Sequence, residues 1–357
     1  MVTDAADNIG TTAVRAGFAF DEAALEQWMR ANVPDYAGPL RVTQFRGGQS
    51  NPTYRLDTST RAYVLRRKPP GVLLKGAHAI EREARVLSAL GSVGYPVAHV
   101  YALCAEAEMI GTPFYVMDLV EGRVFWDASF SDVPRGERAR YFDAMNAAIA
   151  DLHAIDPAAV GLADYGRPGD YFARQIARWS GQYYSDIEAG RDANMDRLID
   201  WLHANVPAGD DDTGIIHGDF RCDNMIFARA GPRILAVLDW ELSTLGHRGA
   251  DFAYHTMMYR MPPHIVAGLG NADVGALGLP SEQEYLAAYC TRRGLPGLPN
   301  YDFYVAFNFF RLAAIFHGIK GRVLRGSAAS AQARQRVEVL PELMQLAWAQ
   351  AERAGSR

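Results

Sequence analysis

Alternating apolar and polar positions recur in the first third of the chain. Between Arg41 and Arg67 the runs RVTQF, TYRLDT and AYVLRR alternate in this way, and a break rich in Gly, Asn and Pro separates the first two. This period is typical of antiparallel strands joined by turns. The segment AIEREARVLSAL instead has one apolar face at helical spacing, and two more strand-like runs, HVYALC and FYVMDLV, follow it. We therefore expect a small antiparallel sheet with an associated helix.

Beyond Glu121 the spacing of apolar residues becomes mainly helical. It is clearest in ARYFDAMNAAIADLHAI, YFARQIARWSGQYY and MDRLIDWLHANV, and it resumes after the strand-like run RILAVLDW. Near the N-terminus, Asp21 could cap the helix DEAALEQWMRANV. The pattern predicts an α+β protein with a flexible tail over residues 1–20, a strand-rich lobe over 21–119 and a larger, mainly helical lobe over 120–357.

The composition is that of an ordinary globular protein and gives no reason to expect a nucleic-acid partner. The chain has 357 residues, 49% hydrophobic and 22% charged, with a net charge of −5. Cys104, Cys222 and Cys290 lack the spacing of disulfide or zinc sites. No secretory signal and no run of about 18 apolar residues is evident. We therefore expect a cytoplasmic location and no membrane association.

Polar side chains that can carry chemistry stand between two apolar runs in GIIHGDFRCDNMIF, residues 214–227. Four residues separate Asp219 from Asn224, and Asp239 follows at the end of the apolar run Ile234–Leu238. Kinases use this spacing for phosphoryl transfer: one Asp accepts or orients the proton of the attacking hydroxyl, while an Asn and a second Asp bind Mg²⁺ through oxygen. Asn224 and Asp239 can converge only if the chain between them forms a hairpin.

HGDFRCDN together with LDWE resembles the aminoglycoside phosphotransferase superfamily, relatives of the protein kinases that include choline and homoserine kinases. The resemblance extends from about Phe45 to beyond Asp251, and it is greatest to phosphotransferase domains associated with acyl-CoA dehydrogenases. It implies a two-lobed protein-kinase-like fold with ATP and Mg²⁺ as cofactors. Asp219 would then be the catalytic residue, and Asn224 and Asp239 the metal ligands.

The same resemblance implies a set of ATP-binding residues. The segment FRGGQSNPTYRL is similar to the nucleotide-binding loop, and FYVMDLVEG is similar to the segment whose backbone binds adenine. The positions concerned are Gly47, Gly48, Ser50, Asn51, Asp118 and Val120. Glycines allow close backbone approach, and the Ser and Asn side chains can donate to phosphate oxygens.

An arginine stands where kinases carry the lysine that binds the α- and β-phosphates. In AYVLRRKPP that position is Arg66, and Lys68, on the same strand face, is the alternative. Arginine can bind phosphate bidentately. The resemblance implies a helix carboxylate as its partner; we expect Glu83, with Glu81 as the second choice.

Two residues are expected to support the catalytic loop rather than react. His217 is predicted to hold the loop through hydrogen bonds, and Asp251 matches a family residue near the start of the following helix. His247 and Arg248 stand where relatives usually carry Asp-Pro, so the sequence leaves this turn undefined. No role is predicted for Asp223.

Charge in residues 301–340 favours an anionic acceptor. The acids there are Asp302 and Glu338, and the basic residues are Arg311, Lys320, Arg322, Arg325, Arg334 and Arg336. A basic solvent-facing surface would give the same balance, so that alternative stays open. The resemblance implies a small-molecule acceptor phosphorylated on a hydroxyl, namely a hydroxyacyl-CoA, with an aminoglycoside as the alternative. Other classes are a catalytically silent nucleotide-binding regulatory module and a metal-dependent hydrolase that needs no ATP.

Overall fold

The computed structural model describes residues 10–46, 51–71, 79–167, 169–209, 211–328 and 331–355, which form two compact units. Unit 1 contains the described residues up to Val124 together with Ala158–Tyr165 and Asp223–Ser243. Unit 2 contains the other described residues, and it holds most of the helices.

Unit 1 is built on an antiparallel sheet, which has six strands among the described residues in the order β1-β2-β3-β4-β6-β5. The strands are β1 (Thr11–Thr12), β2 (Arg41–Phe45), β3 (Thr53–Asp57), β4 (Ala62–Arg67), β5 (Val100–Cys104) and β6 (Phe114–Asp118). The accompanying helices are α1 (Glu22–Asn32) and α2 (Ile80–Ser92). Buried and partly exposed side chains alternate along β2 and β3, as the strand period requires. The predicted sheet is confirmed.

Side chains of β4 point alternately to the two faces of the sheet, and the two faces have different surroundings. Leu65 belongs to the apolar cluster that also contains Trp28 and Met29 of α1. Successive side chains of a strand point to opposite faces. Arg66 therefore projects from the face opposite that cluster, and there it contacts Glu83 of α2.

Residues 10–20 lie against the sheet, where the sequence suggested a flexible tail. Strand β1 pairs with β2, and the Arg15 N–H donates to Gln44 Oε1 at 3.0 Å. The Tyr54 hydroxyl donates to the carbonyl of Phe18, which packs on the apolar cluster. A strand of two residues and a few scattered aromatic residues are too short to form a periodic pattern that the sequence would show. Asp21 caps α1 by accepting from two backbone N–H groups, as predicted.

A β hairpin completes unit 1. Met225–Phe227 pairs with Ile234–Val237 in antiparallel fashion. The Arg123 N–H donates to the Phe227 carbonyl at 2.8 Å, and a Cβ at Gly122 would lie 2.2 Å from that same oxygen. The lack of a side chain at Gly122 thus allows the segment after β6 to meet the hairpin.

Unit 2 is mainly helical, as the apolar spacing predicts. Its helices are α3 (Arg138–Ala154), α4 (Tyr171–Ser185), α5 (Ala193–Ala204), α6 (Arg248–Thr256), α7 (Val274–Leu277), α8 (Glu282–Arg293), α9 (Tyr301–Leu324), α10 (Ala331–Glu338) and α11 (Leu340–Gly355). The largely buried α9 packs against α4, α6, α10 and α11. The strands Thr213–Ile216 and Thr244–His247 form an antiparallel pair. Within the described residues, no helix has the length and hydrophobicity needed to cross a membrane.

Candidate active site

A buried ion pair in unit 1 joins the sheet to helix α2. Arg66 Nε lies 2.9 Å from Glu83 Oε2, and the two side chains are 13% and 3% exposed. Lys68 Nζ lies 2.6 Å from Glu81 Oε1, but these side chains are 24% and 38% exposed. Water screens exposed pairs and leaves them mobile, whereas burial holds a pair in one geometry. Arg66 and Glu83 are therefore the fixed pair, and Lys68 and Glu81 form the more solvent-exposed one.

The surroundings of Arg66 keep its guanidinium charged. Burial by itself lowers the pKa of this group, but Glu83, Tyr115 and Asp239 raise it above its ordinary value. Burial also raises the pKa of the Glu83 carboxyl, and the guanidinium opposes that shift. Asn51 is buried, with its Nδ2 3.5 Å from Glu83 Oε2. The result is a permanent, fixed cation of the kind that phosphate binding needs.

Asn224 and Asp239 stand at the same end of the hairpin. The Leu238 N–H donates to the Asn224 carbonyl at 2.8 Å, and Asp239 follows with a left-handed φ of 62°. Asp239 Oδ1 accepts from Arg66 Nη2 at 3.1 Å, and its side chain is 36% exposed. A carboxylate and an amide oxygen are hard donors of the kind that Mg²⁺ prefers. Asn224 and Asp239 therefore fit a magnesium ion. The hairpin that would bring these two residues together is observed.

The remaining predicted ATP-binding positions fall in two groups. Those outside the described residues are Gly47, Gly48 and Ser50. Asp118 ends β6, where its N–H donates to the His99 carbonyl at 2.9 Å and its carboxylate accepts from the Tyr101 hydroxyl at 2.6 Å. Val120 follows two residues later and is half-buried. Both positions thus lie where the chain leaves the sheet.

In unit 2, Asp219 occupies a short loop after the strand Thr213–Ile216. Gly218, directly before it, has a φ of +83°, which side-chain-bearing residues rarely adopt. The Tyr254 hydroxyl of α6 donates to Asp219 Oδ1 at 2.6 Å. Burial raises the pKa of Tyr254, and the negative charge of Asp219 raises it further, so the phenol remains a donor at neutral pH. A charge-assisted hydrogen bond therefore fixes one oxygen of the Asp219 carboxylate.

A buried aspartate holds the backbone of the same loop. Asp251 accepts from the N–H groups of His217 and Gly218 at 2.8 Å each, and His153 Nε2 lies 3.2 Å from it. Burial by itself raises the pKa of Asp251, but His153 and His217 bring it below its ordinary value. His217 Nδ1 accepts from the Asp219 N–H at 3.1 Å. Both His217 and Asp251 thus contact loop backbone, the geometry that a supporting role requires.

The turn that the sequence left undefined runs from a strand directly into α6. His247 Nδ1 accepts from the Ala250 N–H at 3.2 Å and so caps the helix. Arg248 pairs with Asp212 at 2.7 Å. The cap and the ion pair fix the first turn of the helix that carries Asp251.

A family model matches most of this chain. The model for the phosphotransferase enzyme family matches residues 41–304. The chain belongs to the phosphotransferase enzyme family. The matched range includes Arg66, Glu83, Asp219, Asn224, Asp239 and Asp251.

Longer proteins contain sequence similar to this phosphotransferase. Mouse acyl-CoA dehydrogenase family member 10 is 41% identical over 350 residues, which cover 97% of this chain and 33% of the mouse protein. The phosphotransferase thus spans about a third of the length of this relative. The predicted resemblance to domains associated with acyl-CoA dehydrogenases is confirmed.

Solved structures share the fold of this phosphotransferase. A protein from Ralstonia eutropha JMP134, provisionally assigned as an aminoglycoside phosphotransferase, is 46% identical with a TM-score of 0.87, covering 94% of this chain and 99% of its own. Choline kinase from Cryptosporidium parvum Iowa II is 10% identical with a TM-score of 0.62, covering 94% and 96%. At such low identity the choline kinase shows the fold alone. The predicted protein-kinase-like fold is confirmed.

One face of α6 contacts the loop around Asp219 at several points, of which the sequence indicated only Asp251. Tyr254 and His255 lie three and four positions later, so they share its helix face. His255 Nδ1 lies 3.1 Å from the Phe220 carbonyl. The signal was present in DFAYH, because polar groups at this spacing on an almost wholly buried helix need partners.

Tyr254→Phe should lower kcat by about 10- to 100-fold, the equivalent of losing one hydrogen bond of about 1.5–3 kcal/mol to a charged group. The ring should stay in place, because Arg311 lies over it at 5.3 Å and phenylalanine keeps that face. Steady-state kinetics should therefore show a reduced kcat with an unchanged KM for the phosphate donor. A wild-type kcat would mean that Asp219 is positioned without this hydroxyl.

Proposed function

We propose that this phosphotransferase is an ATP- and Mg²⁺-dependent kinase that transfers the γ-phosphate to a hydroxyl of a small acceptor. The observation that carries the proposal is the end of the hairpin, where Asn224 and Asp239 converge and Asp239 lies 3.1 Å from Arg66. Two oxygen ligands beside one fixed cation suit a metal-bound triphosphate. Because ATP binding alone would not require Asp219, the proposal favours a kinase over a silent nucleotide-binding module.

Each functional residue has a distinct proposed task. Asp219 accepts or orients the proton of the acceptor hydroxyl, so that the oxygen can attack the γ-phosphorus. Arg66, held by Glu83, binds the α- and β-phosphates. Asn224 and Asp239 hold Mg²⁺, which when bound neutralises charge on the phosphates.

The nucleotide is positioned by further groups of unit 1. The backbone of Asp118 and Val120 is proposed to bind adenine, and Asn51, Gly47, Gly48 and Ser50 to border the phosphates. The buried contact of Asn51 with Glu83 supports this role, since it places an amide beside the phosphate-binding ion pair.

The proposed acceptor is a hydroxyacyl-CoA. Two independent features support it: the similarity to a protein named for acyl-CoA dehydrogenation and the basic residues of the C-terminal helices. An aminoglycoside is the second candidate, favoured by the provisional assignment of the Ralstonia protein. Aminoglycosides are polycations and need an acidic site, whereas CoA carries phosphates and needs a basic one.

A panel of acceptors separates these candidates. Hydroxyacyl-CoAs, free hydroxy acids and aminoglycosides are each supplied with ATP and Mg²⁺, and ADP release is followed. We expect acceptor-dependent ADP release with a hydroxyacyl compound and none with aminoglycosides. If only aminoglycosides give ADP release, an aminoglycoside replaces the proposed acceptor. Two results would contradict the proposed kinase reaction: ADP release that needs no acceptor, and ATP binding with no turnover of any acceptor.

A further inference from the structure

Two tyrosines on one face of helix α8 contact two buried histidines. Tyr285 and Tyr289 lie four positions apart, and residues at that spacing are neighbours on a helix surface. The Tyr285 hydroxyl lies 2.7 Å from His255 Nε2, and the Tyr289 hydroxyl lies 2.7 Å from His153 Nδ1. All four side chains are buried. Because buried polar groups need hydrogen-bond partners within the protein, the partners of each ring nitrogen indicate where its proton lies.

Through its other ring nitrogen, each histidine contacts the loop around Asp219 or the aspartate that holds this loop. His255 Nδ1 lies 3.1 Å from the Phe220 carbonyl oxygen. His153 Nε2 lies 3.2 Å from Oδ2 of Asp251. A carbonyl oxygen and an ionised carboxylate accept hydrogen bonds and cannot donate them. The ring proton is therefore on Nδ1 in His255 and on Nε2 in His153.

The remaining nitrogen of each ring is an acceptor, because both histidines are neutral. Burial lowers the pKa of His153 and brings the pKa of His255 down to about 4. Burial also raises the pKa of both tyrosine hydroxyls, which therefore stay protonated and donate. Tyr285 thus donates to Nε2 of His255, and Tyr289 donates to Nδ1 of His153. The two histidines are opposite tautomers, and each ring is held at both nitrogens.

We propose that Tyr285 and Tyr289 are positioning residues that hold the loop around Asp219 by fixing the tautomers of the two histidines. Because each hydroxyl occupies the acceptor nitrogen, the ring proton stays on the opposite nitrogen, where the contact with the loop or with Asp251 needs it. Without the hydroxyl, the acceptor nitrogen is buried and unpaired, which favours a turned ring or the other tautomer. This inference rests on the proposed function, because the position of the loop affects turnover only if Asp219 is catalytic.

Tyr285→Phe and Tyr289→Phe each remove one hydroxyl and should keep the ring in place. The main-chain carbonyl of Tyr285 accepts from the Asn146 side chain of α3 at 2.8 Å, and the Tyr289 ring stacks on Phe252 with centroids 3.9 Å apart. Neither contact involves a tyrosine hydroxyl. Each variant should lower kcat by about three- to tenfold, the loss of one neutral hydrogen bond, and should leave KM for ATP unchanged.

Tyr183→Phe is the matched control for both variants. It also removes a hydroxyl from a buried tyrosine of unit 2, but this hydroxyl contacts Asp192 and Asp196. It should leave kcat close to that of the wild type. A wild-type kcat in both α8 variants, or an equal fall of kcat in the control, would overturn the positioning role.

Amide side chains in place of the histidines test the tautomers through function. The amide nitrogen of asparagine is two bonds from Cβ, as Nδ1 of histidine is, whereas that of glutamine is three bonds away, as Nε2 is. His255→Asn therefore keeps a donor for the Phe220 carbonyl, and His255→Gln does not. We expect kcat of His255→Asn to exceed that of His255→Gln by about threefold or more, and the order to reverse at His153. The opposite order at either histidine contradicts the assigned tautomer.

Nitrogen NMR of the wild-type imidazole rings, recorded without nucleotide, tests the tautomers independently of phosphoryl transfer. At neutral pH we expect the proton on Nδ1 in His255 and on Nε2 in His153. Tyr285→Phe should shift the acceptor nitrogen of His255 and leave the signals of His153 unchanged. A charged ring at neutral pH, or the other tautomer in either residue, overturns the inference even if the protein is a kinase.

Amide hydrogen exchange separates failure of this inference from failure of the proposed function. Asp251 accepts from the N–H groups of His217 and Gly218, and Tyr289 contacts Asp251 through a histidine. These N–H groups should exchange about three- to tenfold faster in Tyr289→Phe than in Tyr183→Phe, whether or not ADP is released. Faster exchange in a protein that turns over no acceptor would support the hold on the loop and refute the kinase reaction. Exchange at the rate of the control would refute the hold on the loop.

Discussion

Asp219→Asn should lower kcat by about 10²–10⁴-fold, the range for loss of a general base, while ATP affinity stays close to that of the wild type. Asparagine has nearly the same shape and keeps an oxygen for the Tyr254 hydroxyl, which lies 2.6 Å from Asp219 Oδ1. It lacks the negative charge that receives or orients the acceptor proton. The loop should remain in place, because Asp251, and not the Asp219 side chain, holds the backbone of His217 and Gly218.

ADP release with a productive acceptor gives kcat, and titration with a non-hydrolysable ATP analogue gives the nucleotide affinity. Asp223→Asn is the matched control, because it makes the same chemical change four positions later, at a residue with no assigned role. Normal turnover by Asp219→Asn would refute the catalytic assignment. A parallel loss of nucleotide affinity would instead indicate that the substitution disturbs the fold.

The features of the fold that follow from local spacing were predictable from the sequence. Strands β2 and β3 alternate strictly enough that the sheet and its buried face could be inferred together. The hairpin between Asn224 and Asp239 was predictable because two apolar runs flank a short polar turn. In both cases each residue's conformation depends mainly on its neighbours in the chain.

The choice between the two candidate cations for phosphate binding required tertiary structure. Arg66 and Lys68 share one face of β4 and its continuation, so the period of the strand cannot separate them. Glu81 and Glu83 lie two positions apart on α2, where side chains point in different directions. Only the packing of α2 on the sheet buries Glu83 with Arg66 and leaves the other pair partly exposed.

The partners in contacts between distant segments could not be identified from the sequence. His153 reaches Asp251 across 98 positions, and Tyr254 reaches Asp219 across 35. A single polar residue on a helix has many partners that would satisfy it, so its type does not identify the one it meets. The packing of Phe18 on the sheet escaped prediction for the same reason.

We expect Asp239 to have two effects on ATP binding that can be measured separately. Its Oδ1 lies 3.1 Å from Arg66 Nη2, and Glu241 Oε2 lies 3.8 Å from the same atom. As the proposed metal ligand, Asp239 strengthens binding of ATP that carries Mg²⁺. As a negative charge beside the proposed phosphate-binding arginine, it weakens binding of ATP that carries no metal, because like charges repel. Removing the charge therefore has opposite consequences with and without Mg²⁺.

Asp239→Asn should lose most of the affinity for ATP that Mg²⁺ adds, whereas ATP in EDTA should bind at least as tightly as it does to the wild type. With Mg²⁺ present, kcat should fall by about 10²–10³-fold, the cost of losing one electrostatic contact to the reacting groups. ATP titrations over a series of Mg²⁺ concentrations measure both effects. Glu241→Gln is the control, because it removes the neighbouring carboxylate and keeps the proposed ligand. An unchanged Mg²⁺ dependence would refute the assignment of Asp239, since the side chain plays no part in the backbone pairing of the hairpin.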